Sequence, residues 1–67
     1  MTEIGKTYMM THRWFGRAVV RCVKPYHDGG EFEILKGTLH GIQGFWGPGD
    51  VFTAVNNLAT FEEMPGK

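Results

Sequence analysis

Ten glycines and three prolines divide this 67-residue chain into short apolar segments. Glycine accepts the positive φ angles of tight turns, and short β-forming segments between glycine-marked turns are typical of small all-β meanders and barrels. The chain has room for one core, because a domain of this length buries only about 60% of the surface that its unfolded chain exposes. We therefore predict a single small all-β domain over residues 1–67.

The composition predicts a folded domain, and its small core favours self-association. Hydrophobic residues make up 42% of the chain, and seven basic residues balance seven acidic ones. Disordered chains show the opposite combination of low hydrophobicity and high net charge. A core this small seldom supplies more than about 3–5 kcal/mol without a disulfide, a metal or a partner subunit, so a homo-oligomer is a reasonable expectation.

Charge and cysteine usage exclude several classes of protein. The net charge of zero gives no overall field toward nucleic acid or an anionic membrane. Cys22 is the only cysteine, which excludes disulfide-rich secreted scaffolds, and it alternates with Val20 as a small core residue would. The first ten residues hold no apolar run typical of a signal peptide, and no stretch approaches the length of a membrane span. We expect a cytoplasmic protein with no membrane partner.

Alternation of apolar and polar side chains predicts strands at residues 4–11, 18–23 and 31–35, and residues 38–42 are either a further strand or the continuation of a bent one. Ile4, Tyr8 and Met10 should share one face of the first strand. Pro25 lacks an N–H group and should end the second strand. The sequence His27-Asp28-Gly29-Gly30 then suits a hairpin turn with two residues at positive φ.

The segment from residue 51 to residue 62 allows two interpretations. Val51, Val55 and Leu58 recur at helical spacing behind Asp50, a good N-cap residue, which would give a three-stranded antiparallel sheet with a C-terminal helix. The pair Asn56-Asn57 is poor in a helix interior and suits a turn. We favour a final hairpin of strands at residues 51–55 and 59–62.

Four stretches are similar to segments of small SH3-like barrels, a fold that short proteins of phages and other mobile elements often resemble. The stretches are Glu3-Ile4-Gly5-Lys6-Thr7-Tyr8, Gly16-Arg17-Ala18-Val19-Val20, Gly41-Ile42 and Asn57-Leu58-Ala59-Thr60-Phe61-Glu62-Glu63-Met64. The resemblance implies a barrel of about five short strands. It assigns no functional residue, because such barrels bind peptides, proteins, DNA and RNA alike. A mobile-element origin implies that the partner is a host protein, such as a defence complex, that the element inhibits or redirects.

Four aromatic residues beside glycines form the leading candidate site. Complete burial of large aromatic side chains is difficult in so small a fold, and tryptophan is enriched at binding hot spots. One tryptophan can instead plug the open end of the barrel, which would leave the other for an apolar binding patch. The candidate residues for contact with a protein partner, or with a second copy of the chain, are Trp14, Phe15, Phe45 and Trp46.

Basic residues in the first third of the chain form an alternative candidate site. Arg17 and Arg21 alternate onto one face of a predicted strand, and Trp14 nearby could stack on a base. Pairing of the arginines with Glu31 and Glu33 across the hairpin would instead cancel the patch, and we favour that interpretation. The alternative set for nucleic-acid binding is Arg13, Arg17, Arg21 and Lys24.

The residue patterns give little support for catalysis or for a cofactor. His12, His27 and His40 lack the spacing that places two metal ligands together. The glycine-rich segment at residues 44–49 lacks the Lys-Ser/Thr ending of a phosphate loop, and Pro48 removes an amide from it. We predict a non-enzymatic binding module without metal or cofactor. A nucleic-acid-binding barrel is the main alternative, and an enzyme whose site forms only between subunits is a third.

Overall fold

A computed structural model describes residues 2–64, and all regular structure in that range is β. The strands are β1 (Thr7–His12), β2 (Gly16–Tyr26), β3 (Gly29–Gly37), β4 (Leu39–His40), β5 (Phe45–Trp46), β6 (Val51–Val55) and β7 (Ala59–Glu63). The all-β prediction is confirmed, and the alternative with a C-terminal helix is wrong. The range also contains no helix long and apolar enough to cross a lipid bilayer.

The main sheet has five antiparallel strands in the order β6-β3-β2-β1-β7, and β4 and β5 form a separate two-stranded sheet. The strands expected at residues 51–55 and 59–62 are present as β6 and β7, but they do not form the expected hairpin. β6 pairs with β3, and β7 pairs with β1. Because no ladder joins the two edge strands within residues 2–64, the sheet is not closed into a barrel.

Strand β2 is the longest in the sheet and contains two irregularities. Its pairing with β3 shifts register between Val19 and Val20 and again between Cys22 and Lys24. Pro25 does not end the strand as predicted, since it pairs with Gly30 and β2 continues to Tyr26. Strand β1 pairs with β2 only as far as Arg21, so Pro25 lies where β2 has a neighbour on one side alone, and such an edge tolerates proline.

The glycines after the turn between β2 and β3 serve close packing rather than turn geometry. The turn consists of His27 and Asp28 alone, and Gly29 and Gly30 lie inside β3 without positive φ. A Cβ atom on Gly29 would overlap the carbonyl oxygen of Ala54 and lie 2.8 Å from the Cα of Val55. Glycine is needed there because β6 approaches β3 at that point.

The core consists of the inward-facing side chains of the strands. The predicted alternation is confirmed for the buried faces of β1, β2 and β3, although β1 starts later than expected and Ile4 lies 68% exposed outside it. Cys22 is buried among these apolar side chains, as predicted. The buried hydrophobic residues are Tyr8, Met10, Ala18, Val20, Cys22, Phe32, Ile34, Leu39, Phe52, Ala54 and Ala59.

Replacement of Gly29 by alanine should destabilise the protein by about 1–3 kcal/mol, because the added methyl group forces β3 and β6 apart. Gly47→Ala is the matched control, since a Cβ atom on Gly47 meets nothing within 4 Å. Its unfolding free energy should stay within about 0.5 kcal/mol of the wild-type value. Urea unfolding followed by fluorescence measures both, and equal stability of the two variants would contradict the packing role of Gly29.

Candidate binding surface

Two loops meet at one end of the sheet and bring the predicted aromatic residues together. One is the turn of residues 13–15 between β1 and β2, and the other is the hairpin of β4 and β5. The N–H of His40 donates to the carbonyl of Phe15 at 3.0 Å and joins the two. Phe45 and Trp46 form β5 and pair with His40 and Leu39 of β4.

Phe52 of β6 is the centre on which this end of the core is packed. Its ring lies 4.8 Å from that of Trp46 and 5.9 Å from that of Phe15, both in edge-on geometry. The Phe15 and Trp46 rings are themselves 5.3 Å apart. Aromatic pairs at these separations prefer such tilted and edge-on arrangements. The three rings therefore form a firm apolar base beneath the two loops.

The two tryptophans have different environments. Trp46 is half-buried against the core, and its ring covers Gly41 so closely that a Cβ atom there would lie 2.7 Å from it. Trp14 is 65% exposed, at 6.2 Å from the Phe15 ring. These environments agree with the expectation that one tryptophan packs on the core and the other stays accessible. Phe45 is 70% exposed and lies on the accessible side.

Ile42 at the tip of the β4–β5 hairpin was not among the predicted site residues, yet it is 99% exposed. It separates two apolar depressions of about 520 and 370 Å³. A glycine on each side of the pair Ile42-Gln43 was the available signal, because a glycine-bounded tip projects its residues into solvent. We use the name aromatic end for the surface formed by Trp14, Phe15, Ile42, Phe45 and Trp46.

The aromatic end is apolar rather than charged. The segment of residues 39–46 contains no Asp, Glu, Lys or Arg. Arg13 lies in the adjoining turn, and Asp50 is engaged locally because its carboxylate accepts a 2.9 Å hydrogen bond from the N–H of Gly47. Contact at this surface would therefore depend mainly on burial of apolar area.

The four basic candidates do not form one patch. Arg21 pairs with Glu33 across the hairpin of β2 and β3, as the sequence analysis favoured. Lys24 lies 5.7 Å from the centroid of the Tyr26 ring. Arg13 lies in the turn of residues 13–15 and Arg17 on the outer face of β2, and neither forms an ion pair with another residue in the range 2–64.

His12 is a feature of the site whose role sequence reasoning missed. Its side chain is buried, stacks on Phe15 at 4.4 Å and accepts a 3.1 Å hydrogen bond at Nδ1 from the N–H of Trp14. Burial lowers the pKa of His12 from its ordinary value of 6.5. The neutral imidazole thus fixes the turn that carries Trp14.

Metal chemistry finds no ready ligand set in the described part of the chain. No three side chains of His, Cys, Asp or Glu gather there closely enough to hold a metal ion.

Comparisons of the chain with protein-family models, with curated proteins and with solved structures gave no match. The assignment of the aromatic end as a candidate binding site therefore depends on its geometry alone.

The protein should lose stability as the pH falls below about 6.5, the range in which His12 of the unfolded chain takes up a proton that the folded chain resists. The stability that depends on neutral His12 is fully present above pH 6.5, and it is lost as the pH falls toward the lower pKa of His12 in the folded state. His12→Asn keeps an acceptor for the Trp14 N–H but cannot be protonated, so its unfolding free energy should depend less on pH.

Urea unfolding between about pH 7.5 and pH 5 measures this difference between variant and wild type. His27→Asn, in an exposed turn, is the control and should keep the wild-type pH dependence. A His12→Asn profile parallel to that of the wild type would show that His12 does not cause the loss.

Proposed function

We propose that this chain is a non-enzymatic protein-binding module that contacts its partner through the aromatic end. The observation that carries the proposal is the exposure of three large apolar side chains side by side. Trp14 is 65% exposed, Phe45 is 70% exposed and Ile42 is 99% exposed. Large apolar side chains grouped on a surface mark interaction sites more often than single exposed ones do.

The support beneath these side chains favours binding over simple exposure. Phe15 and Trp46 are packed on Phe52, so the exposed residues sit on a base that is already ordered. An ordered surface loses less conformational entropy when it binds than a flexible loop does. Depressions on both sides of Ile42 could accept apolar side chains of a partner.

The resemblance to small SH3-like barrels of mobile elements remains part of this proposal. The all-β architecture with a five-stranded antiparallel sheet supports the resemblance, whereas the absence of a ladder between the edge strands within residues 2–64 departs from a closed barrel. On that basis the partner would be a host protein in the cytoplasm, and the aromatic end would serve to inhibit or redirect it.

Nucleic-acid binding is the competing function, and one observation favours it. Arg13 neighbours the exposed Trp14, so a cation and a stacking platform adjoin each other. Two observations count against it, because Arg21 is neutralised by Glu33 and the remaining cations are dispersed. Fluorescence anisotropy with single-stranded oligonucleotides at low and high salt distinguishes the two functions, since phosphate contacts weaken steeply with salt.

Replacement of Ile42 by serine should weaken partner binding at least about tenfold, because hot-spot truncations cost about 2 kcal/mol or more and tenfold corresponds to about 1.4 kcal/mol. The side chain is 99% exposed, so its loss should leave the fold intact. Ile4→Ser is the matched control, an exposed isoleucine outside the aromatic end, and should bind within about twofold of the wild type.

A photo-cross-linking residue at position 42, compared with the same residue at position 4, identifies the partner in cells. Affinities of the purified partner for the wild type and both serine variants are then measured by calorimetry. Equal affinity of Ile42→Ser and wild type would reject the aromatic end as the contact surface. Salt-sensitive binding to the oligonucleotides with no protein captured at position 42 would favour the competing function.

A further inference from the structure

The two edge strands of the sheet differ in how they are protected. β7 carries the carboxylates of Glu62 and Glu63, and Glu63 is held in a 3.2 Å ion pair by Lys6. β6 has the sequence Val-Phe-Thr-Ala-Val, with no charge, no proline and no glycine. Natural sheets guard their edges with charges, prolines or bulges, and an edge without them is a template for another strand.

The hydrogen bonds that flank the ladder of β6 and β3 show which backbone groups of β6 are free. The N–H of Ile34 donates to the backbone carbonyl of Asp50 at 2.9 Å, and the N–H of Asn56 donates to the backbone carbonyl of Asp28 at 2.8 Å. In an antiparallel pair, opposite residues alternate between exchanging hydrogen bonds and not exchanging them. Phe52 and Ala54 therefore bond to β3, whereas Val51, Thr53 and Val55 direct their N–H and C=O groups away from it.

The outward groups remain available within the described range. No N–H partner for Val51, Thr53 or Val55 occurs among residues 2–64, and of their carbonyls only that of Val55 accepts a bond, from Leu58 at 3.1 Å. Val51 is 53% exposed and Thr53 is exposed as well. The edge is thus open to solvent over most of its length.

We propose that β6 pairs with β6 of a second copy of this chain, antiparallel across a twofold axis at Thr53. In this register Thr53 lies opposite its own counterpart and Val51 lies opposite Val55, so all three outward residues of each strand are used. The Thr53 pair can exchange two N–H···O bonds, and each Val51–Val55 pair can form one from the Val55 N–H to the free Val51 carbonyl, because the Val55 carbonyl already accepts from Leu58. The second copy is the occupant that the edge fits best, because its uncharged sequence meets itself without like charges.

The side chains on the outer face fit the same register. Thr53 meets a threonine, and Val51 meets the β-branched Val55, which are favourable cross-strand pairs. Five residues per strand bury less area than a standard stable interface, so the dimer should be weak. We expect a dissociation constant of about 10–100 µM that does not depend strongly on salt.

Opposite charges at position 53 test both the surface and the register. Thr53→Lys alone and Thr53→Glu alone place like charges at the twofold axis and should each weaken dimerisation at least about tenfold, while an equimolar mixture of the two should dimerise again. Thr60→Lys on β7 is the matched control and should dimerise as the wild type does. Sedimentation equilibrium of the full chain, with circular dichroism to verify folding, measures these four samples and the wild type.

Amide hydrogen exchange of the wild type gives a test that needs no variant. The amides of Val51 and Thr53 should exchange slowly at high protein concentration and fast on dilution, whereas the amide of Phe61, which faces outward on β7 by the same alternation, should exchange fast at both. A chain that stays monomeric at about 1 mM would overturn the proposal, as would a mixture that fails to recover the dimer. So would a dimer that Ile42→Ser abolishes, since that would place self-association at the aromatic end; loss of partner binding alone in Ile42→Ser leaves the β6 pairing intact.

Discussion

The short link between the two edge strands is the constraint on which the rest of this structure depends. Val55 ends β6 and Ala59 begins β7, so four peptide units join them, with a reach of at most about 14 Å. A flat sheet of five strands would hold its edges about 19 Å apart. The link is therefore possible only because the sheet bends, and the register shifts in β2 lie where a central strand must curve.

Bending also solves the problem of burial in a sheet that no helix covers. The inward side chains of β1, β2 and β3 pack on one another, and Met10, Val20 and Phe32 are fully buried as a result. A bent sheet has an open end, and here the rings around Phe52 cover it. A chain of 67 residues has too few large side chains to bury the outer surface of these rings as well, which explains why the aromatic end is exposed.

Local pattern predicted the strands well and their partners poorly. Alternation identified the buried faces of β1, β2 and β3 because it is a property of neighbouring residues. The pairing of residues 51–55 with β3, the packing role of Gly29 and the passage of β2 through Pro25 depend on where distant segments approach each other. Among the site residues, the aromatic ones were found by composition, whereas Ile42 became visible only once the β4–β5 hairpin gave it a position.

Strand β6 connects the aromatic end with the open edge. Its period of two places Phe52 inward, where the ring supports Phe15 and Trp46, and directs the free backbone groups of Val51 and Thr53 outward. Pairing of two copies through that edge would place two aromatic ends in one assembly. A bivalent assembly binds an oligomeric or repeated target more tightly than either site does alone, because the second contact is intramolecular. Weak self-association could in this way strengthen partner binding without any additional contact to the partner.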